Sequence, residues 1–181
     1  SASIKTCPMP RFFAVTSRGC VDALHAELVE MGISGVENAP GGCFFESNWS
    51  GCYRANLRLR TATRVILPIL DFVAYNQEDL YHNVKKHDFT KYIDLHQTLA
   101  VESSVNSPIF RDQRFVSLKV KDALVDQFRE KFDERPNVDA EMPDLPVMVR
   151  ADGNEISIAL DTSGSPLFRR GFRVTAVEAP L

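Results

Sequence analysis

The signatures of a self-contained enzyme are missing from this chain of 181 residues. No Gly-x-Gly-x-x-Gly follows a strand, and no Gly-x-x-x-x-Gly-Lys-Ser/Thr occurs, so neither of the common glycine-rich phosphate cradles is available. Cysteine is scarce. Cys7, Cys20, Cys43 and Cys52 lie in the first third and form no Cys-x-x-Cys pair, which excludes a clustered zinc site and a dense disulfide framework. They are expected to be buried or incidental thiols. His25, His82, His87 and His96 are scattered, and His82 and His87, five apart, miss a shared helical face, so no metal is expected. Apolar runs long enough to cross a bilayer are lacking, as is the apolar region of a signal peptide, and a cytoplasmic location is expected. Positive charge is not in excess: 21 Lys and Arg face 24 Asp and Glu, a net charge of −3. A strongly basic balance is the usual mark of nucleic-acid binding, so any such surface here must come from where the charges sit.

What is present is globular. Hydrophobic residues make up 44% and charged residues 25%, enough apolar material for one medium domain or two small ones, and two are expected. Arg11 to Thr16 reads as a strand stopped by Ser17-Arg18-Gly19. Val21, Leu24, Leu28 and Met31 then recur at helical spacing up to Gly32. A short strand near Val36, the turn Pro40-Gly41-Gly42 and the strand Cys43-Phe44-Phe45 suggest a hairpin. Trp49 to Leu59 reads as a helix, and Arg64 to Tyr75 as a strand in which Pro68 marks an edge or a bulge. Further on come a helix from Gln77 to Lys86, a strand from Thr98 to Val105, a long helix from Asp112 to Phe132, and a Pro-rich acidic loop from Asp133 to Pro146. Two strands then flank the hairpin turn Asp152-Gly153-Asn154. This order implies an α+β fold, a mixed sheet with helices packed mainly on one face.

Basic residues fall in three groups. On a wheel of the long helix, Arg114, Ser117 and Lys121 project from the arc that carries Leu118, Leu124, Val125, Phe128 and Phe132. The expected geometry is a helix whose second half packs on the sheet and whose first half overhangs its edge. Arg114 and Lys121, with Arg111, neighbouring Lys119 and free amides at the helix start, would then bind phosphate, a contact that positions a nucleic acid without reading its sequence. Lys121 pairing with an acid such as Glu102 is the structural alternative. The second group is Arg169, Arg170 and Arg173, interleaved with Phe168 and Phe172, which suit stacking on bases as well as burial. The third is Arg54, Arg58, Arg60 and Arg64, around the exit of the Trp49 helix.

One apparent catalytic motif leads nowhere. Ile158 to Gly164 resembles the active-site loop of an aspartic protease, but that chemistry needs two aspartates sharing a proton and the chain holds a single copy.

Four segments taken together, Phe12 to Gly19, Ala55 to Val65, Leu118 to Ala123 and Leu160 to Arg173, resemble the N-terminal half of bacterial THUMP-containing large-subunit rRNA guanine-N2 methyltransferases. The resemblance implies a small ferredoxin-like domain, residues 1–45 with 163–181 returning to it, and a THUMP domain over residues 46–162. It implies an RNA-binding module that presents structured rRNA, such as a large-subunit stem-loop, to a linked methyltransferase domain that uses S-adenosylmethionine. In the family that domain begins after the Arg-Arg-Gly-Phe-Arg segment, where this sequence stops, so catalytic residues and a bound cofactor are expected elsewhere. A THUMP module of a tRNA-modifying enzyme, and a protein-interaction domain without RNA, are the competing readings.

Overall fold

A computed structural model describes residues 9–163. Eight strands and four helices follow one another as β1 (Arg11–Thr16), α1 (Val21–Glu30), β2 (Ser34–Ala39), β3 (Gly42–Glu46), α2 (Trp49–Arg58), β4 (Ala62–Val73), α3 (Gln77–Lys86), β5 (Thr98–Asn106), α4 (Gln113–Phe132), β6 (Asn137–Val138), β7 (Leu145–Asp152) and β8 (Glu155–Asp161). The strands form one sheet in the order β2-β3-β1-β4-β8-β7-β5-β6. Pairing is antiparallel except around β5, which runs parallel to β7 and, over Thr98 and Leu99 only, to β6. This is the expected α+β arrangement with a mixed sheet.

Local chemistry sets the helix starts. Asn48, Asn76 and Asp112 each accept a hydrogen bond from an amide in the first turn, at 2.8, 2.8 and 2.9 Å, satisfying donors that the helix itself leaves open. At the other end of α4, Asp133 adopts the left-handed conformation, φ 57°, and its amide returns to the Arg129 carbonyl. The turn Asp152-Gly153-Asn154 closes the β7–β8 hairpin with Gly153 at φ 60°.

β4 joins the two halves of the sheet. Its first residues, Ala62 to Ile66, pair with β1, and Ile66 to Val73 pair with β8. Pro68, which donates no ladder hydrogen bond, sits at an irregularity between Pro68 and Leu70, so of the two expected positions, edge or bulge, the bulge is the one taken. Burial alternates along the strands. Phe12, Ala14, Phe45, Val65, Val147, Ile156 and Ile158 face the helices, while Arg11, Phe13, Phe44, Arg64, Met148 and Arg150 face the opposite side.

The leading half closes over an aromatic core in which the Phe12 ring meets Phe45 at 5.6 Å and Trp49 edge-on at 5.4 Å. The other half packs Leu80, Val84, Phe89, Leu99, Val120, Leu124 and Phe128. A buried polar residue ties this half together. Gln127 donates to the carbonyls of Val84, Lys85 and His87 at the end of α3 and accepts from the Phe89 amide, satisfying backbone groups that would otherwise be stranded in the core. Cys43 and Cys52 are buried free thiols and Cys20 is partly buried, as expected of unpaired cysteines.

One expectation for α4 fails. Val116, Val120, Ala123, Leu124, Gln127 and Phe128 form the buried stripe, which runs along both halves of the helix, so the first half does not overhang the sheet. Leu118 and Phe132 point outward, 47% and 42% exposed. Of the apolar residues expected on the buried arc, Leu124, Val125 and Phe128 are buried, and Val116, Val120 and Ala123 extend the stripe into the first half of the helix.

Candidate nucleic-acid interface

The groove between α4 and the outer edge of β5 begins with an open strand. β6 covers Thr98 and Leu99 only, so among the described residues β5 has no strand partner on its outer side from Ala100 onward. α4 lies alongside. With about 100° per residue, Ser117, Lys121 and Arg114 project within roughly 60° of one another on the flank facing this edge. They share the lining of a groove of about 640 Å³ with Glu102, Ser103, Gln113, Leu118 and Val138. Ser103 and Ser117 are hydrogen-bonded to each other at 2.6 Å across it. Sequence reasoning missed Ser103; the signal that could have found it is its polarity on the β5 face that otherwise carries Leu99, Val101 and Val105.

Lys121 lies in this groove and forms no ion pair within 4.0 Å among the described residues; the proposed partner Glu102 does not hold it. Arg114 is 89% exposed at its side chain, with Nε 3.5 Å from Asp112 Oδ1. The helix start is not the open set of donors that the sequence suggested. Asp112 already accepts from the Arg114 amide, and that hydrogen bond holds the Asp112 carboxyl below its ordinary value. Anion binding there must rest on the two cationic side chains.

The remaining candidates are dispersed. Lys119 points to the other flank, its Nζ 5.4 Å above the Tyr81 ring, in a cluster where Tyr81 donates to Asp126. Arg111 is exposed in the loop before α4, its Nε 3.4 Å from the Pro108 carbonyl. Arg58 is exposed in the last turn of α2 and Arg60 in the loop after it, where Glu27 accepts from the Arg60 and Thr61 amides. The Arg60 amide leads the hydrogen bonds that keep the Glu27 carboxyl below its ordinary value. Arg64 projects from the face of β4 turned away from the described helices, 3.9 Å from Asp161 and 3.4 Å from the Met148 sulfur. β4 and β5 are three strands apart, about 14 Å. The structure therefore brings Arg114 and Lys121 together and leaves Arg58, Arg60 and Arg64 elsewhere. Arg169, Arg170 and Arg173 lie outside the described residues.

A second feature lies where β8 ends. The Thr162 hydroxyl donates to the Val65 carbonyl at 2.7 Å and accepts from Asn56 Nδ2 at 3.1 Å. The Ser163 hydroxyl donates to Asn56 Oδ1 at 3.0 Å and accepts from the Val65 amide at 3.2 Å. Asn56 thereby fastens α2 to the end of β8. Cys52 lies beneath, and burial pushes its thiol up to about 11, the range of an inert structural cysteine. The aspartate of the protease-like segment is a strand-end residue paired with Arg64, and no cluster of metal-ligating side chains exists among the described residues. No helix among them is long and apolar enough to cross a membrane.

The RlmL ferredoxin-like domain matches residues 11–66 and the THUMP domain matches residues 74–161. Ribosomal RNA large subunit methyltransferase K/L of Syntrophotalea carbinolica is 37% identical over 171 residues, 94% of this chain and 24% of that protein. The enzyme of the same name from Psychromonas ingrahamii is 38% identical over 173 residues, 96% of this chain and 23% of that protein. The chain thus spans about a quarter of the length of these curated relatives. A solved structure named as a "predicted N6-adenine-specific DNA methylase" from Listeria monocytogenes shares the fold, with a TM-score of 0.75 at 23% identity over 90% of this chain and 42% of that one. The chain contains an RlmL-type ferredoxin-like domain followed by a THUMP domain.

Proposed function

We propose that this chain is the RNA-gripping part of an rRNA methyltransferase that uses S-adenosylmethionine to modify the N2 amine of a guanine, acting in the cytoplasm. The observation that carries this reading is the α4–β5 groove, where Lys121 has no anionic partner within the described residues and Arg114 reaches into solvent beside it. A cation unanswered inside the protein favours an anion from outside, and the serine hydroxyls and Gln113 offer hydrogen bonds to ribose or phosphate. The two relatives named as large-subunit rRNA methyltransferases support rRNA as the partner; a stem-loop is the form of substrate that belongs to this proposal. Arg111 and the Arg169, Arg170 and Arg173 cluster belong to the same proposal as further phosphate contacts. So do Arg58 and Arg60, whereas Arg64, paired with Asp161, and Lys119, turned toward Tyr81, contribute least. In division of labour, the ferredoxin-like unit braces the THUMP unit. We put the change of unit within β4, whose first part pairs with β1 and second with β8.

The test is binding of a large-subunit rRNA stem-loop, with tRNA as competitor. Affinity should fall steeply between low and moderate salt and should drop when Lys121→Glu is combined with Arg169→Glu. Salt-independent binding, or affinity unchanged in the double variant, contradicts the proposal; stronger competition by tRNA assigns the module to a tRNA-modifying enzyme. Partners retained after nuclease treatment would favour a protein-interaction role.

A further inference from the structure

The α4–β5 groove holds one charge that phosphate binding does not use. Glu102 lies exposed at its rim, in the stretch of β5 that β6 leaves open. Among the described residues its side chain forms no ion pair within 4.0 Å and no hydrogen bond, and the same is true of Lys121. A carboxylate and an ammonium thus share one groove without neutralising each other. For a ligand made of phosphate alone that carboxylate is only repulsive. The rest of the lining is mixed: Leu118 and Val138 are large apolar side chains left exposed, and the Ser103 and Ser117 hydroxyls and Gln113 add polar groups. At about 640 Å³ the groove falls within the roughly 300–1,000 Å³ of sites for small ligands. It offers cations, apolar walls and a free acceptor to a ligand that carries an anion, a flat ring and N–H donors. A nucleotide is such a ligand.

We propose that the groove binds an unpaired guanosine of the RNA, with a phosphate on Lys121 and Arg114 and the Watson–Crick edge of the base on Glu102. An ionised carboxylate only accepts hydrogen bonds. Guanine alone among the four bases carries two adjacent donors on that edge, N1–H and the N2 amine, which meet the two oxygens of one carboxylate as a charge-assisted pair. Adenine and cytosine set a ring-nitrogen acceptor beside their single amine, and uracil sets its N3–H between two carbonyls, so each turns a lone pair toward Glu102. Leu118 and Val138 cover the faces of the ring. The base must be unpaired, since in a duplex the same edge is engaged by cytosine. A guanine held in this way has its N2 amine occupied, so it anchors the RNA and is not the base presented for modification. The preference rests on the reading of the chain as an RNA-binding module, and adds base selection that phosphate contacts cannot supply.

The test uses the full 181-residue chain and RNA hairpins that differ only in one unpaired loop nucleotide, G, A, C, U or inosine, the last lacking the N2 amine. In fluorescence anisotropy at fixed salt the G hairpin is expected to bind about tenfold more tightly than the A, C and U hairpins, with inosine between them. Glu102→Gln should bring all five within about twofold of one another, because its amide nitrogen is a donor that opposes one of guanine's. It should also bind the A, C and U hairpins slightly better than the parent does, since a repelling charge is gone. Glu102 is exposed, so the variant should keep the parent melting temperature. Lys121→Met should weaken all five alike and keep the preference for G, which separates base reading from phosphate contact. Binding that falls steeply with salt but is equal for every loop base, or a Glu102→Gln variant that keeps the preference, overturns the guanine site and leaves the RNA reading standing. Absent or salt-independent binding of every hairpin overturns both. Displacement of the G hairpin by an equal concentration of GMP would overturn RNA as the source of the nucleotide.

Discussion

The sheet cations Arg11 and Arg64 are answered by carboxylates of the protein itself, and the groove cation Lys121 is not, among the described residues. Arg11 is held by Glu37 while its guanidinium stacks 4.3 Å over the Phe44 ring, and Arg64 faces Asp161. In the α4–β5 groove Lys121 has no such partner among the described residues, and Arg114 is only loosely near Asp112. A chain with net charge −3 can therefore still present a site for an anion, because pairing, and not the total, decides which charges are available.

The largest way to break this contrast is to reverse both groove cations. Arg114→Glu with Lys121→Glu should weaken binding to an rRNA stem-loop roughly a hundredfold, on the order of 1.4 kcal/mol per site. Arg11→Gln with Glu37→Gln, which removes a pair already satisfied, should change it less than about twofold. Fluorescence anisotropy at fixed salt reads both, and equal losses would erase the distinction.

Next in size is a change beneath the groove. Gln127→Leu strands the α3 carbonyls and the Phe89 amide, and urea unfolding should lose roughly 2 kcal/mol. The contrast between the helix flank and its buried stripe comes next. Val120→Ala should cost about 1–2 kcal/mol, whereas Leu118→Lys should stay within about 0.5 kcal/mol. A smaller effect concerns pH. Burial foremost, with Lys91 nearby, lowers the pKa of His87 from 6.5, and its ring is hydrogen-bonded to the Tyr92 hydroxyl at 2.6 Å. Since the unfolded chain takes up this proton more readily, the stability held above pH 6.5 is lost as pH falls through the lower folded value. His87→Gln should flatten the dependence of melting temperature on pH in that window.

Much of the fold was legible locally. Asn48, Asn76 and Asp112 announce helix starts, Gly32 and Gly41 mark turns, and Asp152-Gly153 marks a hairpin, because each acts within a few residues of itself. The face of α4 was legible in part: Leu124, Val125 and Phe128 are buried as expected, while Leu118 and Phe132 are exposed and Val116, Val120 and Ala123 take the buried positions of the stripe beside them. The parallel pairing of β5 with β7 and the approach of Arg64 to Asp161, 97 positions along the chain, depend on contacts that no local pattern encodes. Of the candidate site, Arg114 and Lys121 were found for a partly mistaken reason: they flank the buried stripe and do not interrupt it. Ser103 and Gln113 were missed, since their role depends on β5 lying beside α4.

The most direct test of an unpaired groove cation is the salt dependence of RNA binding in the parent chain and in Lys121→Met. If Lys121 neutralises a phosphate, the slope of log affinity against log salt should be shallower by about one in the variant, with affinity falling uniformly across RNA sequences. Identical slopes for the two proteins would contradict it.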